Sequence, residues 1–258
     1  MHPGEEKKGD NLPGISAVLA ANTTQTELEG AVLDLAAVLD GLVYGNFEII
    51  VVEVASAPHV ADVLAELRIR FPALPLRLLE RKHVGLEAAL AAGFDAATYD
   101  LILVSGTHDE FDVRETNHLL EAIEQGADLA IGYRPRRADG IVRRLYGWGW
   151  NALVSLLFGK IGRDVDCPFK LFRKVVWQRV DIHPREARPT FNAELLVRAR
   201  RLGFRIEEVP VTHRRPRKGA NRRAARPTEI GRALVELGEL RRGVRDQGSG
   251  VRRQASVA

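Results

Sequence analysis

The sequence predicts an α/β fold in which a mostly parallel sheet carries helices on both faces. Three observations predict it. Short apolar runs recur through the first half, at 15–20, 47–53, 76–79, 101–104 and 128–133. Longer segments with apolar residues at helical spacing stand between them. The connections are short, and strands alternating with helices in this way form parallel sheets with crossover helices.

Residues 1–13 are polar and punctuated by Pro3, Gly4 and Pro13, which predicts a disordered N-terminus. The run 15–20 opens the sheet. Residues 24–42 place Leu28, Val32, Leu35 and Leu39 on one face after a threonine cap, which predicts a helix. FEIIVVE, 47–53, is rich in β-branched residues and reads as a buried strand, followed by a helix over about 58–70. A strand over 76–79 and a helix over 85–97 come next. The run LILV, 101–104, then stops abruptly at Ser105-Gly106-Thr107-His108-Asp109-Glu110. That is a buried strand delivering a polar loop to the carboxyl edge of the sheet, where ligands of open α/β sheets bind. A helix over 112–125 and a strand over 128–133, ending at Arg134, complete the first half.

The second half changes character. Residues 143–159, RRLYGWGWNALVSLLFG, are amphipathic and carry Trp148, Trp150, Leu153, Leu156, Leu157 and Phe158. Such a segment packs on the domain core, on a partner subunit in a homo- or hetero-oligomer, or on a membrane surface, with core or oligomer packing the favoured reading. DVDCPFKLFR (164–173), a helix over 191–202 and a strand over 205–211 follow. A basic helix over 223–245, regular from 228 to about 244, precedes a tail, 246–258, whose Gly, Ser and Gln content predicts disorder.

Composition narrows the function. With 45% hydrophobic and 28% charged residues among 258, the chain is that of a soluble globular protein. The lone Cys167 excludes an intramolecular disulfide, suits a reducing compartment and reads as a small buried residue. No apolar run approaches the roughly 20 residues needed to cross a bilayer, and the start lacks a signal-peptide core. The expected location is the cytoplasm, with peripheral contact at the inner face of the membrane. The net charge of +4 conceals a basic run, Arg214, Arg215, Arg217, Lys218, Arg222, Arg223 and Arg226, suited to phosphates of lipids, nucleotides or nucleic acid. It reads equally as a solvated tail. Aromatic residues do not interleave with it, so nucleic acid is the lesser reading. His83 and His213 read as loop residues, His213 exposed, and the seven histidines form no zinc spacing with Cys167.

Several segments together resemble the family 2 glycosyltransferases, specifically the dolichyl- or polyprenyl-phosphate mannosyltransferase group. IGYR (131–134) resembles the family's strand-end GxR, and Arg143 or Arg144 falls where the family has a second arginine. DVDCPFKLFR resembles its DxxCGFKLFR segment, with Pro168 in place of glycine. FNAELLVRARRLGFRIEEVPVTHRRPRKG (191–219) resembles its long signature, with Glu194, Glu208, Pro210, Val211, Arg217 and Gly219 in place. The resemblance implies a GT-A fold over 14–222, with a Rossmann-like nucleotide-sugar half (14–134) and an acceptor half (135–222). It also implies transfer of a sugar from a nucleotide-sugar donor to a polyprenyl-phosphate or similar acceptor.

The ligand motifs of the first half depart from that pattern. PAYNEE reads Ala20-Ala21-Asn22-Thr23-Thr24-Gln25, and DDGS reads Glu53-Val54-Ala55-Ser56. NxGxG reads His83-Val84-Gly85-Leu86-Glu87, and the metal-binding DxD reads Gly106-Thr107-His108. By resemblance, Ala20, Asn22, Glu53, Ser56, Gly85, Gly106 and His108 fall at the donor site. His108, Asp109 and Arg134 fall nearest the reacting diphosphate. Arg134, Arg143, Arg144, Lys170, Glu194 and Arg217 meet phosphates or acceptor, and Asp109 with Glu110 is the candidate pair for a divalent metal, Mn²⁺ or Mg²⁺. Three readings follow: a metal site shifted to 108–110, arginines in place of the metal, or an inactive homologue that binds or scaffolds a partner.

Overall fold

A computed structural model describes residues 13–21, 25–43, 45–54, 59–80, 85–106, 110–136, 138, 141–182, 189–214 and 227–254. The side chains of 142, 143, 227–229 and 244–254 are outside that description. In chain order the elements are β1 (Ile15–Ala21), α1 (Gln25–Val43), β2 (Phe47–Glu53), α2 (Val60–Arg70), β3 (Leu76–Leu79), α3 (Leu86–Ala96) and β4 (Leu101–Val104). They continue with a 3₁₀ turn (Val113–Glu115), α4 (Thr116–Glu124), β5 (Leu129–Tyr133), α5 (Ile141–Phe158), β6 (Lys170–Arg173), α6 (Lys174–Val180), α7 (Phe191–Arg201), β7 (Ile206–Pro210) and α8 (Pro227–Gln254).

The strands form one seven-stranded sheet in the order β3-β2-β1-β4-β6-β5-β7. All pairings are parallel except those of β6, which is antiparallel to β4 and β5. Strand β6 comes from the second half of the chain, yet it lies between two strands of the first, so both halves share one sheet. Alternate residues of each strand feed the two faces. On one face Ala17, Leu19, Ile49 and Val51 pack with α1, α2 and α4. On the other Val18, Ile50, Val52 and Ile102 pack with α3 and the helices of the second half. Gly93 lets α3 approach, because a Cβ there would stand 2.3 Å from Val18 Cγ1.

One expectation changes. The tail does not begin at 246, since α8 runs to Gln254. No proline after Pro227 interrupts its hydrogen-bond ladder. The disorder expected for 1–12 and 255–258 lies outside the described residues. The amphipathic segment is α5, and only one of its faces is in the core, where Trp150 and Val154 are buried.

Candidate functional site

The carboxyl edge of the sheet is where the parallel strands release their loops. Register aligns Ala21 of β1 with Glu53 of β2, and Val18 of β1 with Val104 of β4. Ala20, Glu53 and Gly106, which lies two residues beyond β4, therefore gather along one edge. Ala20 is buried, Glu53 is half-buried and Gly106 is exposed. Gly85 is the N-cap of α3, with extended backbone. Asn22, Ser56, His108, Asp109 and Arg217 lie outside the described residues. A cleft of about 340 Å³ opens between α1 and the loop after β4, bordered by Gly30, Asp34, Ser105, Gly106 and Glu110. That volume falls at the small end of ligand pockets.

The loop after β4 is fastened from residue 110 onward. Phe111 is buried and stacks on Phe169, with ring centroids 5.6 Å apart. Glu115 accepts from the Thr212 backbone N–H at 2.8 Å and from its hydroxyl at 2.7 Å. Arg214 donates to Asp112 Oδ2 at 2.7 Å and, through its backbone N–H, to the Glu110 carbonyl at 2.7 Å. His213 corrects an expectation, since it is buried rather than exposed. Its Nδ1 accepts from the Ala138 backbone N–H at 3.1 Å, and its Nε2 lies 4.0 Å from Glu110 Oε2. An Nδ1 that accepts leaves the proton on Nε2, facing that carboxylate.

These contacts bear on which described residues are open to a metal. Gly106 offers no oxygen ligand from a side chain and Asp112 is engaged by Arg214, while Glu27, Asp34 and Glu110 bring carboxylates to the cleft. Mg²⁺ takes octahedral oxygen coordination, ordinarily from one or two carboxylates completed by phosphates and water. Among the described residues no group of three His, Cys, Asp or Glu could hold a metal ion.

The arginine and lysine assigned to phosphates are held instead by the protein. Arg134 follows β5 and makes a two-pronged pair with Asp164, Nε to Oδ2 at 2.5 Å and Nη2 to Oδ1 at 2.8 Å. Both side chains are only 6% exposed, so this guanidinium is closed to a diphosphate in this structure. Lys170 opens β6 between Val104 of β4 and Ile131 of β5. It is buried, and its Nζ donates to the carbonyls of Val165 and Cys167 and to Asn192 Oδ1. Desolvation pushes its pKa down, although the neighbouring Cys167, Asp166 and Asp164 oppose that. Glu194 is buried and pairs with Arg198 at 2.7 Å. Arg144 is exposed on α5. Cys167 is buried as expected, and burial pushes its thiol pKa up, away from nucleophile chemistry.

Sequence reasoning missed the polar cluster around Lys170, formed by Asp164, Asp166 and Asn192. The signal was a lysine inside PFKLF, since a cation in a buried strand needs acceptors. Burial pushes the Asp166 pKa from 3.8 up to about 6, a rise that the Lys170 ammonium opposes and the Asp164 charge assists. A pKa raised by folding means that the native state holds its proton longer. Stability therefore falls as pH rises from about 4 through about 6. Asp166→Asn is expected to remove that loss. Relative to wild type it gains about 1–3 kcal/mol between pH 4 and pH 7.5, read from urea unfolding at the two pH values. Equal differences at both pH values would refute the assignment.

The comparisons with known proteins agree with this architecture. The model of glycosyl transferase family 2 matches residues 20–180, more than half of the chain. The chain is 28% identical over 217 residues to a polyprenol monophosphomannose synthase of Mycolicibacterium smegmatis, covering 79% of this chain and 80% of that protein. It is 32% identical over 212 residues to glycosyltransferase AglD of Haloferax volcanii, covering 76% of this chain but only 32% of AglD. It is 28% identical over 178 residues to a dolichol-phosphate mannosyltransferase of Pyrococcus furiosus, covering 66% of this chain and 49% of that one. The chain thus spans about a third and about half of these last two relatives.

Among solved structures, a glucosyl-3-phosphoglycerate synthase of Mycobacterium tuberculosis with Mn²⁺ and UDP-glucose aligns with a TM-score of 0.59 at 20% identity, covering 90% of this chain and 76% of that one. A mannosyltransferase of Pyrobaculum calidifontis with GDP-mannose and Mn²⁺ aligns at 0.55 and 14% identity, covering 83% and 62%. At these identities the likeness shows the fold, which is GT-A. The family match over residues 20–180 settles the affiliation: the chain belongs to glycosyl transferase family 2.

Proposed function

We propose that the protein transfers a sugar from a nucleotide-sugar donor to a polyprenyl-phosphate or similar lipid-phosphate acceptor. The observation that carries this reading is the 28% identity to the mycobacterial polyprenol monophosphomannose synthase over 80% of that protein, read together with the open carboxyl edge. The nucleoside lies against Ala20 and Glu53, and the diphosphate runs toward Gly106 and the loop beyond it. An acceptor phosphate is ionised at neutral pH, so it attacks without a general base. The departing nucleoside diphosphate gains negative charge, which must be offset. In this reading the offset comes from cations, with Arg144 exposed on α5 and Arg143 and Arg217 beside it in role. Lys170 lies beside the last residue of β4, with its ammonium engaged by Val165, Cys167 and Asn192 rather than by the phosphates.

A second reading, a homologue that binds a partner without transferring sugar, is favoured by Gly106 standing where the family places a metal-binding aspartate. Calorimetric titration with GDP, UDP and their sugar conjugates, each with and without Mn²⁺ and Mg²⁺, separates the two. The transferase reading expects binding near the micromolar range, about −8 kcal/mol, for one nucleotide. Equal affinity with and without metal supports the arginine offset, while strict metal dependence points to 108–110. No binding up to millimolar nucleotide sinks the transferase reading and leaves the partner-binding one.

A further inference from the structure

Helix α5 is apolar on two opposite faces. Trp150 and Val154 belong to the core. Roughly half a turn away, Ile141, Leu145, Trp148 and Leu156 are 74, 64, 73 and 81% exposed. With the small exposed Ala152 they occupy positions i, i+4, i+7, i+11 and i+15, which at 3.6 residues per turn fall within about 80° of arc. Five aligned residues over four turns form a continuous stripe, unlike the isolated apolar side chains that any surface carries. Helix α5 contains no aspartate or glutamate. Arg144 is exposed in its first turn and Lys160 just past its end.

We propose that this stripe of α5 docks on an anionic lipid bilayer, the helix lying in the headgroup plane with Trp148 and the leucines turned toward the acyl chains. Charge decides between a bilayer and a second copy of this chain. Two copies of α5 would bring cations together with no carboxylate of either helix to pair them, whereas anionic headgroups complement Arg144 and Lys160. The helix lies on the surface rather than spanning, because no helix among the described residues is long and apolar enough to cross a membrane. The inference rests on the lipid-phosphate reading only for the reason the protein would visit a bilayer. The stripe itself carries the choice of surface.

Tryptophan fluorescence makes the test specific. The chain has three tryptophans, and Trp150 and Trp177 are buried. Full-length protein is mixed with vesicles of neutral phosphatidylcholine, alone or with roughly a third phosphatidylglycerol, and followed by co-sedimentation and emission. The expected result is binding to the anionic vesicles with a blue-shifted emission. Trp148→Phe abolishes the shift while binding persists, and Leu145→Gln with Leu156→Gln lowers the partition coefficient about tenfold or more at unchanged circular dichroism.

The inference is overturned in any of three ways. Wild type left in the supernatant with both vesicle types overturns it, as does a paired variant that binds as wild type does, or a dimer in light scattering that the paired variant splits while vesicle binding is unchanged. Should the paired variant fail to fold, Trp148→Phe decides, because a shift that survives that substitution also overturns it. Sugar transfer to a short-chain, water-soluble polyprenyl phosphate without vesicles is measured separately. Its absence counts against the transferase reading alone, and its presence with no vesicle binding counts against the docking surface alone.

Discussion

Asp164→Ala is expected to lower the free energy of unfolding by about 3–5 kcal/mol, because it removes the two-pronged carboxylate from a guanidinium held in the interior. The pair is almost closed to solvent on both sides, and the backbone N–H of Arg134 also donates to Asp164 Oδ2, at 3.3 Å. It ties the end of β5 to the segment that leads into β6. A chain of this size loses roughly 2–4 °C in Tm per kcal/mol, so thermal denaturation should show a drop of about 10 °C. The joint replacement Arg134→Met with Asp164→Leu should cost less than Asp164→Ala alone, since no charge is then left buried. A single-variant loss under about 1 kcal/mol in urea unfolding would show that solvent reaches the guanidinium.

Phe94→Ala is expected to cost a similar amount, about 3–5 kcal/mol, by opening a cavity at the meeting point of four elements. Phe94, on α3, meets Phe172 of β6 edge-on at 5.3 Å, Trp177 of α6 edge-on at 5.0 Å and Phe191 of α7 in a stacked arrangement at 6.4 Å. The next residue, Asp95, accepts from the Trp177 indole N–H at 2.7 Å, fixing the cluster's outer side. Phe94→Leu keeps most of the volume and should cost distinctly less. The check is chemical denaturation of both variants. A Phe94→Ala loss below about 1.5 kcal/mol would mean that the site collapses around the missing ring.

Strands inside the sheet were legible because burial on both faces leaves a plain apolar run. The bounds expected for FEIIVVE, LRLL and LILV are those observed. Helix α1 begins one residue later than its threonine cap suggested and ends at Val43. The place of β6 was not legible. Four residues carry little periodicity, and their pairing joins Leu101 to Arg173, far apart in sequence.

Buried charges were legible as oddities but not as arrangements. Glu48 sits inside a buried strand, and its partners come from three distant places: Ser16 at 2.7 Å, Thr98 through both N–H and hydroxyl, and Arg77. Desolvation alone would raise its pKa, yet these donors outweigh it and hold the carboxyl below its ordinary value. His213 was misjudged for the same reason, since its basic sequence neighbours suggested solvent and only the fold brings Phe111 and Ala138 to it. At the candidate site, the motif departures were visible in the sequence. The closure of Arg134 by Asp164 was not, because nothing in a linear motif says which carboxylate a guanidinium will find.

The antiparallel strand between β4 and β5 also bears on how the chain is made. A ribosome releases β4 and β5 well before β6, and these two strands do not pair with each other in the finished sheet. Until residue 173 has emerged, β4 keeps one edge unpaired and β5 has no bridge to the rest of the sheet. Fragments ending between 134 and 169 should therefore expose open backbone edges and associate with one another, the hazard such edges carry during synthesis. The last strand to enter the centre of the sheet is thus the one that makes the nascent chain safe.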